Sequence, residues 1–208
     1  MCGIFCSTSR DKIAELAELN SYRGSHSYSV FSVNWDVNYV IRDFGEFNLE
    51  NVPDDDAYKI CHVQAPTTDN RDVKSIHPAR HEGMLLWHNG IVKNFDVARL
   101  MTKYNQVSSW DTMLLLREIS NDDWLLNLSE VNGSFACVLY DEGSVFVFRN
   151  EISPLFFDND LNISSVKFEG SDSIPPNRVF MVSQDLGLID IGCEFHTKEN
   201  PYYFGEAA

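Results

Sequence analysis

A chain of 208 residues is long enough to bury one sizeable core, and 44% hydrophobic with 23% charged residues is the balance of an ordinary globular protein. Sixteen Lys and Arg against 31 Asp and Glu leave a net charge of -15, which repels phosphate backbones and anionic bilayers, so nucleic acid and membrane surfaces are not expected partners. Five cysteines (Cys2, Cys6, Cys61, Cys137, Cys193) form an odd set without a CxxC pair, and neither a spanning apolar run nor a basic, apolar leader is present. The expectation is free thiols, a cytoplasmic location and a single domain over 1–208.

In chain order, Ile4 and Phe5 read as the start of a buried strand that would hold Cys2 on a rigid element. Asp11 to Asn20 place Ile13, Leu16, Ala17 and Leu19 at helical spacing. A polar loop, Ser21 to Ser27, leads to strands over 28–33 and 37–42, predicted as a hairpin around Asn34 to Asp36. The acidic stretch 48–56 reads as a loop, 57–63 as a strand that stops at Pro66, and 67–75 as a polar loop. Met84 to Trp87 is a brief strand running into His88, Asn89 and Gly90; 94–104, 110–119 and 122–128 are predicted helices. The second half turns to strands over 134–140, 144–149, 154–157, 163–168, 179–183 and 188–191, the first two joined by the turn Asp141 to Gly143. Helices in two groups and antiparallel strands in two groups predict an α+β protein with stacked sheets.

The chemistry centres on Cys2. Were Met1 removed, one residue would carry both a thiol of reference pKa about 8.5 and an α-amine of about 7.7 to 8.0, and the amine would serve as base for the thiol. The competing reading is a small hydrophobe that merely begins a strand. Asn89 and Gly90 read either as donors to a developing negative charge or as an ordinary Asn-Gly hairpin turn. Among the histidines, His62 reads as structural. His77, His81 and His88 raise the question of zinc, but Pro78 breaks the helical spacing and no Cys or carboxylate falls at ligand distance in sequence, so no metal and no cofactor are expected.

Four separated segments occur in a telling order: Cys2, Gly3, Ile4; Tyr22, Arg23, Gly24; His62 to Thr68 (HVQAPTT); and His88 to Asn94 (HNGIVKN). Ser109 to Thr112 (SWDT) and Gly133 to Asp141 (GSFACVLYD) follow. Together they resemble the class II glutamine amidotransferase domain, the N-terminal-nucleophile glutaminase at the front of glucosamine-6-phosphate synthase, amidophosphoribosyltransferase and glutamate synthase, over roughly the first two thirds of the chain. The resemblance implies a four-layer αββα sandwich of two mostly antiparallel sheets. It also implies attack of Cys2 on the side-chain amide of glutamine, release of ammonia and hydrolysis of a glutamyl thioester.

By the same resemblance Asn89 (side-chain amide) and Gly90 (backbone N–H) match the oxyanion hole. Arg23 matches an arginine that supports the nucleophile, although a solvated loop arginine is the alternative. Asp111 matches the acid that pairs with the glutamine α-amine, or else simply favours a helix N-terminus. Thr67 matches a hydroxyl donor to the α-carboxylate. The departure is Gln64, which stands where the family carries an arginine that forks onto that carboxylate. This substitution keeps open the hydrolysis of another γ-glutamyl or small amide, or a silent subunit retaining the fold. No acceptor domain is recognisable after residue 141, so a separate acceptor or synthase protein is the expected partner, with the aromatic stretch Asn200 to Phe204 as a candidate contact.

Overall fold

The structure is a computed structural model describing residues 2–65, 73–121 and 123–197. In chain order its elements are β1 (Gly3–Ser7), α1 (Arg10–Asn20), β2 (Ser27–Ser32), β3 (Ile41–Phe44), β4 (Lys59–Gln64), β5 (Ala79–His81), β6 (Met84–Val92), α2 (Asn94–Lys103), α3 (Asp111–Ile119), α4 (Trp124–Ser129), β7 (Gly133–Asp141), β8 (Ser144–Arg149), β9 (Phe156–Phe157), β10 (Ile163–Ser164), β11 (Asp172–Ser173), β12 (Arg178–Ser183) and β13 (Gly187–Glu194). Helix α1 starts at Ser9, whose hydroxyl caps the Lys12 N–H, with Asp11 in the first turn. Its buried Ile13 and Leu16 form the stripe expected from the sequence.

Two antiparallel sheets carry the fold. The first runs β11-β9-β10-β1-β4-β2-β3 and the second β13-β12-β8-β7-β6-β5. Alternation along the strands decides what each face meets. Ile4 and Cys6 of β1, Ile60 of β4 and Phe31 of β2 point to the second sheet, where Leu85 and Trp87 of β6 and Ala136 and Val138 of β7 meet them. Phe5, Cys61 and Val63 point the other way, onto Ile13 and Leu16 of α1. On the far side of the second sheet, Leu86, Phe135 and Cys137 pack under Leu115, Leu116 and Ile119 of α3 and Leu128 of α4. The result is the predicted helix, sheet, sheet, helix layering.

Several elements differ from the expectation. The partner of β2 begins at Ile41 rather than 37, so a longer connection replaces the tight hairpin, with Val30 opposite Ile41. Strand β6 does not stop at Trp87 but continues to Val92, pairing with β7 from Leu85 opposite Tyr140 to Val92 opposite Gly133. Asn89 and Gly90 are therefore mid-strand, not a turn. The predicted 163–168 strand shrinks to two residues, and β5 and β11 are short strands set by their partners. The turn at Asp141 to Gly143 joins β7 and β8 as expected. No helix among the described residues is long and apolar enough to cross a membrane.

Trp87 is fully buried between the sheets, its indole N–H donating to Ser29 Oγ at 3.3 Å and its ring beside Phe31. Trp87→Ala should lower stability by about 3–5 kcal/mol, read as a lower urea midpoint at unchanged m-value.

Candidate functional site

Cys2 immediately precedes β1, on the alternation of Ile4 and Cys6, and so on the inter-sheet side. Its strand is pinned from both flanks: Gly3 pairs with Val63 of β4, the Ile4 N–H donates to Ser165 Oγ at 3.0 Å, and the Ser165 N–H donates to the Ile4 carbonyl at 2.9 Å. Asn89 lies on the alternation of Leu85 and Trp87, the inner face of β6, and is 4% exposed. Strands β1 and β6 touch across the sandwich.

Gly90 follows with φ of +155°, and a Cβ there would overlap the Ser134 carbonyl. This position admits no side chain while β6 and β7 stay paired. Arg23 is buried behind the start of β1, where its Nη1 donates to the Cys2 carbonyl at 3.3 Å; its Nε meets no partner. Gly24 lets the same loop lie on the end of β4, because a Cβ would overlap the backbone at Gln64 and Ala65.

Asp111 opens α3. Its Oδ2 accepts the Val92 N–H at 3.2 Å and its Oδ1 accepts the Thr112 N–H at 2.8 Å, so the carboxylate fastens the helix start to the end of β6. Burial pushes the Cys2 thiol up to about 11; the Ala65 N–H pulls it back, Asp111 pushes it higher and Arg23 lowers it. Cys2, Ala65, Arg23 and Asp111 thus share one electrostatic neighbourhood.

Gln64 ends β4 with its amide engaged. Its Nε2 donates to the Ser75 carbonyl at 3.4 Å and its Oε1 faces His77 Nδ1 at 3.2 Å. Thr67 and the Asn200 to Phe204 stretch lie outside the described residues.

The histidines are arranged differently from their sequence reading. His77 and His88 meet at the Thr112 hydroxyl, at 2.8 Å from His77 Nε2 and 3.3 Å from His88 Nδ1. The His62 ring lies against His77, with centroids 4.1 Å apart and the planes tilted by 33°. His81 stands apart, with Arg117 and Glu82. His62, which reads as structural in the sequence, is fully buried, but neither ring nitrogen meets a partner, and burial drives it neutral by lowering its pKa to about 3. Burial, with His62, His88 and Arg42 nearby, likewise holds His77 well below the usual histidine range. Among the described residues no group of His, Cys, Asp and Glu is disposed to hold a metal ion.

No protein-family model and no curated protein matches the chain by sequence. Solved structures do. The glutamine phosphoribosylpyrophosphate amidotransferase of B. subtilis, complexed with ADP and GMP, superposes with a TM-score of 0.65 at 18% identity, over 90% of this chain and 48% of that one. A structure described as the allosteric regulatory enzyme of purine biosynthesis superposes with a TM-score of 0.66 at 15% identity, over 96% of this chain and 50% of that one.

The chain has the N-terminal-nucleophile hydrolase fold. It spans about half the length of either protein, and the likeness at this identity is one of fold. On this fold, the residues singled out from sequence that lie in described segments fall on the starts of β1 and α3, the loop after α1, the last residue of β4 and the second half of β6. What sequence reasoning missed is the Thr112 junction: a threonine directly after Asp111 gave no sign that two histidines, 35 and 24 residues before it, would share its hydroxyl.

Gly90→Ala should cost more than about 2 kcal/mol, since overpacking against a fixed backbone adds to an unfavourable φ. A fall in melting temperature well beyond that of Gly143→Ala, where nothing lies within 4 Å of the new Cβ, would verify it.

Proposed function

We propose that the protein is a cysteine-dependent amidase of the glutamine amidotransferase type, which hydrolyses the side-chain amide of glutamine and supplies ammonia to a separate acceptor protein. The observation that carries this reading is the neighbourhood of Cys2. A thiol opens a fully buried central strand, with a guanidinium on its carbonyl and an aspartate within its field, and an Asn-Gly pair lies on the strand that packs across from it.

In this reading Met1 is removed and the Cys2 α-amine takes the thiol proton. Sγ attacks the amide carbon, and the oxyanion is held by the Asn89 side-chain amide and the Gly90 N–H. Nitrogen leaves as ammonia with the transferred proton. Water then attacks the thioester, releasing glutamate and returning the hydrogen to sulfur. Arg23 supports the nucleophile through its carbonyl, and Asp111 receives the substrate ammonium on lone pairs not taken by Val92 and Thr112.

Gln64 favours a second reading. A neutral amide in place of a cation forfeits a bidentate charged contact to an α-carboxylate, a loss of about 1.5–3 kcal/mol in glutamine binding unless Thr67 or another group compensates. A γ-glutamyl or small amide lacking a free α-carboxylate would not feel that loss. Relative turnover of glutamine, glutathione and simple amides separates the two substrates, and a clear preference for free glutamine removes the second.

Incubation with diazo-oxo-norleucine should give a single adduct on Cys2, while Cys2→Ala gives none, keeps its fold and loses turnover by at least about a thousandfold. An unlabelled wild-type chain still carrying Met1 would instead indicate a silent subunit. Because burial raises the thiol to about 11, a chain retaining Met1 should react with iodoacetamide at a rate that keeps climbing from pH 7 to pH 10. The processed chain should level off near the titration of its amine, at about pH 8.

A further inference from the structure

A continuous chain of polar contacts runs from the recognition end of the proposed site into the interior. Ser75 O is 3.4 Å from Gln64 Nε2, Gln64 Oε1 is 3.2 Å from His77 Nδ1, and His77 Nε2 is 2.8 Å from Thr112 Oγ1. Thr112 Oγ1 is in turn 3.3 Å from His88 Nδ1, and His88 Nε2 is 3.2 Å from the Ser134 carbonyl. His77, His88 and Thr112 are each at most 4% exposed, so water does not substitute for these partners.

The Thr112 hydroxyl is the junction, and it owns a single hydrogen. Its other acceptor, Asp111 Oδ1, stands at 3.5 Å, farther than either ring. If the hydroxyl donates to His77, it must accept from His88, and both rings then carry their hydrogen on Nδ1. If it donates to His88, it must accept from His77, and both rings carry it on Nε2. With both contacts filled and both rings neutral, the two tautomers are therefore always alike. They also decide Gln64: an Nδ1 hydrogen on His77 calls for the amide oxygen, whereas a bare Nδ1 calls for the amide nitrogen. The arrangement with Gln64 Nε2 on the Ser75 carbonyl belongs to the first case, whereas a hydrogen on His88 Nε2 for the Ser134 carbonyl, which only accepts, belongs to the second, so with neutral rings the two ends of the chain compete for the one hydroxyl hydrogen.

We infer that His77, Thr112 and His88 are positioning residues, which through one shared hydroxyl set which way the Gln64 amide faces and hold the start of α3 beside it. The inference rests on the amidase reading for its functional consequence and on the contacts alone for its geometry. His88 is adjacent to Asn89, so the chain joins the strand of the oxyanion donors to the residue that replaces the family's arginine. A neutral site fixed in this way offers a ligand a defined donor or acceptor rather than a charge.

The test pairs histidine ring NMR with kinetics on wild type, Thr112→Val and Thr112→Ser. Wild type and Thr112→Ser should show His77 and His88 protonated on the same ring nitrogen, and Thr112→Val should lose that agreement. For glutamine, Thr112→Val should raise KM roughly tenfold, the equivalent of one hydrogen bond, with kcat and Cys2 alkylation within about twofold of wild type. Thr112→Ser should restore KM. Unlike tautomers in wild type, or a folded Thr112→Val with unchanged KM, overturn the inference. Matching tautomers in a wild type that turns over no amide overturn the amidase reading, and with it the functional role, while leaving the relay itself in place. If Thr112→Val does not fold, failure of Thr112→Ser to keep both the tautomers and KM overturns it instead.

Discussion

Everything about the site depends on burying the first strand. β1 contributes only Gly3 to Ser7, yet all five residues are buried, between β10 and β4 within its sheet and between α1 and the second sheet across it. Here the backbone is hydrogen-bonded on both edges, and Ile4, Phe5 and Cys6 are each fully removed from water, so residue 2 inherits the rigidity of the middle of a sheet. That placement has a chemical cost as well as a benefit. The burial that fixes Cys2 also disfavours its thiolate, and Asp111 adds to the penalty while Arg23 only partly relieves it. In the proposed mechanism a base carried on the residue of Cys2 itself answers that difficulty better than a charge placed nearby, because it removes the proton without burying a permanent ion.

The sandwich was legible where burial and strand period coincide. The runs 134–140 and 144–149 alternate cleanly and meet through Asp141 to Gly143, and Ile13 with Leu16 marks the buried stripe of α1. Legibility failed where tertiary pairing decides. His88, Asn89 and Gly90 interrupt the apolar run of β6 and read locally as a strand end, but eight successive residues pair with β7. The two- and three-residue strands β5, β9, β10 and β11 carry too few side chains for any period to show and exist because a neighbour supplies hydrogen-bond partners.

The candidate site was legible for a different reason, namely that short motifs around Cys2, Arg23, Asn89 and Asp111 each require particular residue types. The partners that hold those residues were not. The touching pairs among Gln64, His77, His88 and Thr112 are separated by 13 to 35 residues, and nothing in their spacing announces that they touch. A threonine after a helix-opening aspartate looks like ordinary capping chemistry, and a histidine before a proline looks like a loop residue. Their connection appears only when the end of β4, the segment before β5, the outer face of β6 and the start of α3 are brought to one place.

That convergence bears on how an acidic protein could accept an amino-acid amide. The chain carries a net charge of -15, so a substrate carboxylate approaches against the mean field unless something local reverses it. On the proposed amidase reading Gln64 in place of an arginine removes one obvious source of reversal, and the buried His62 and His77 are driven neutral rather than cationic. On that reading the recognition end depends on oriented dipoles more than on charge. Dipoles act only at short range and only when fixed, since an amide free to turn presents its donor and its acceptor equally. A neutral recognition group is useful to the degree that its neighbours prevent rotation, and here those neighbours are a carbonyl and an imidazole whose own hydrogen is governed from the far side of the sheet. The buried polar chain is thus the physical condition under which an uncharged residue could stand in for a charged one.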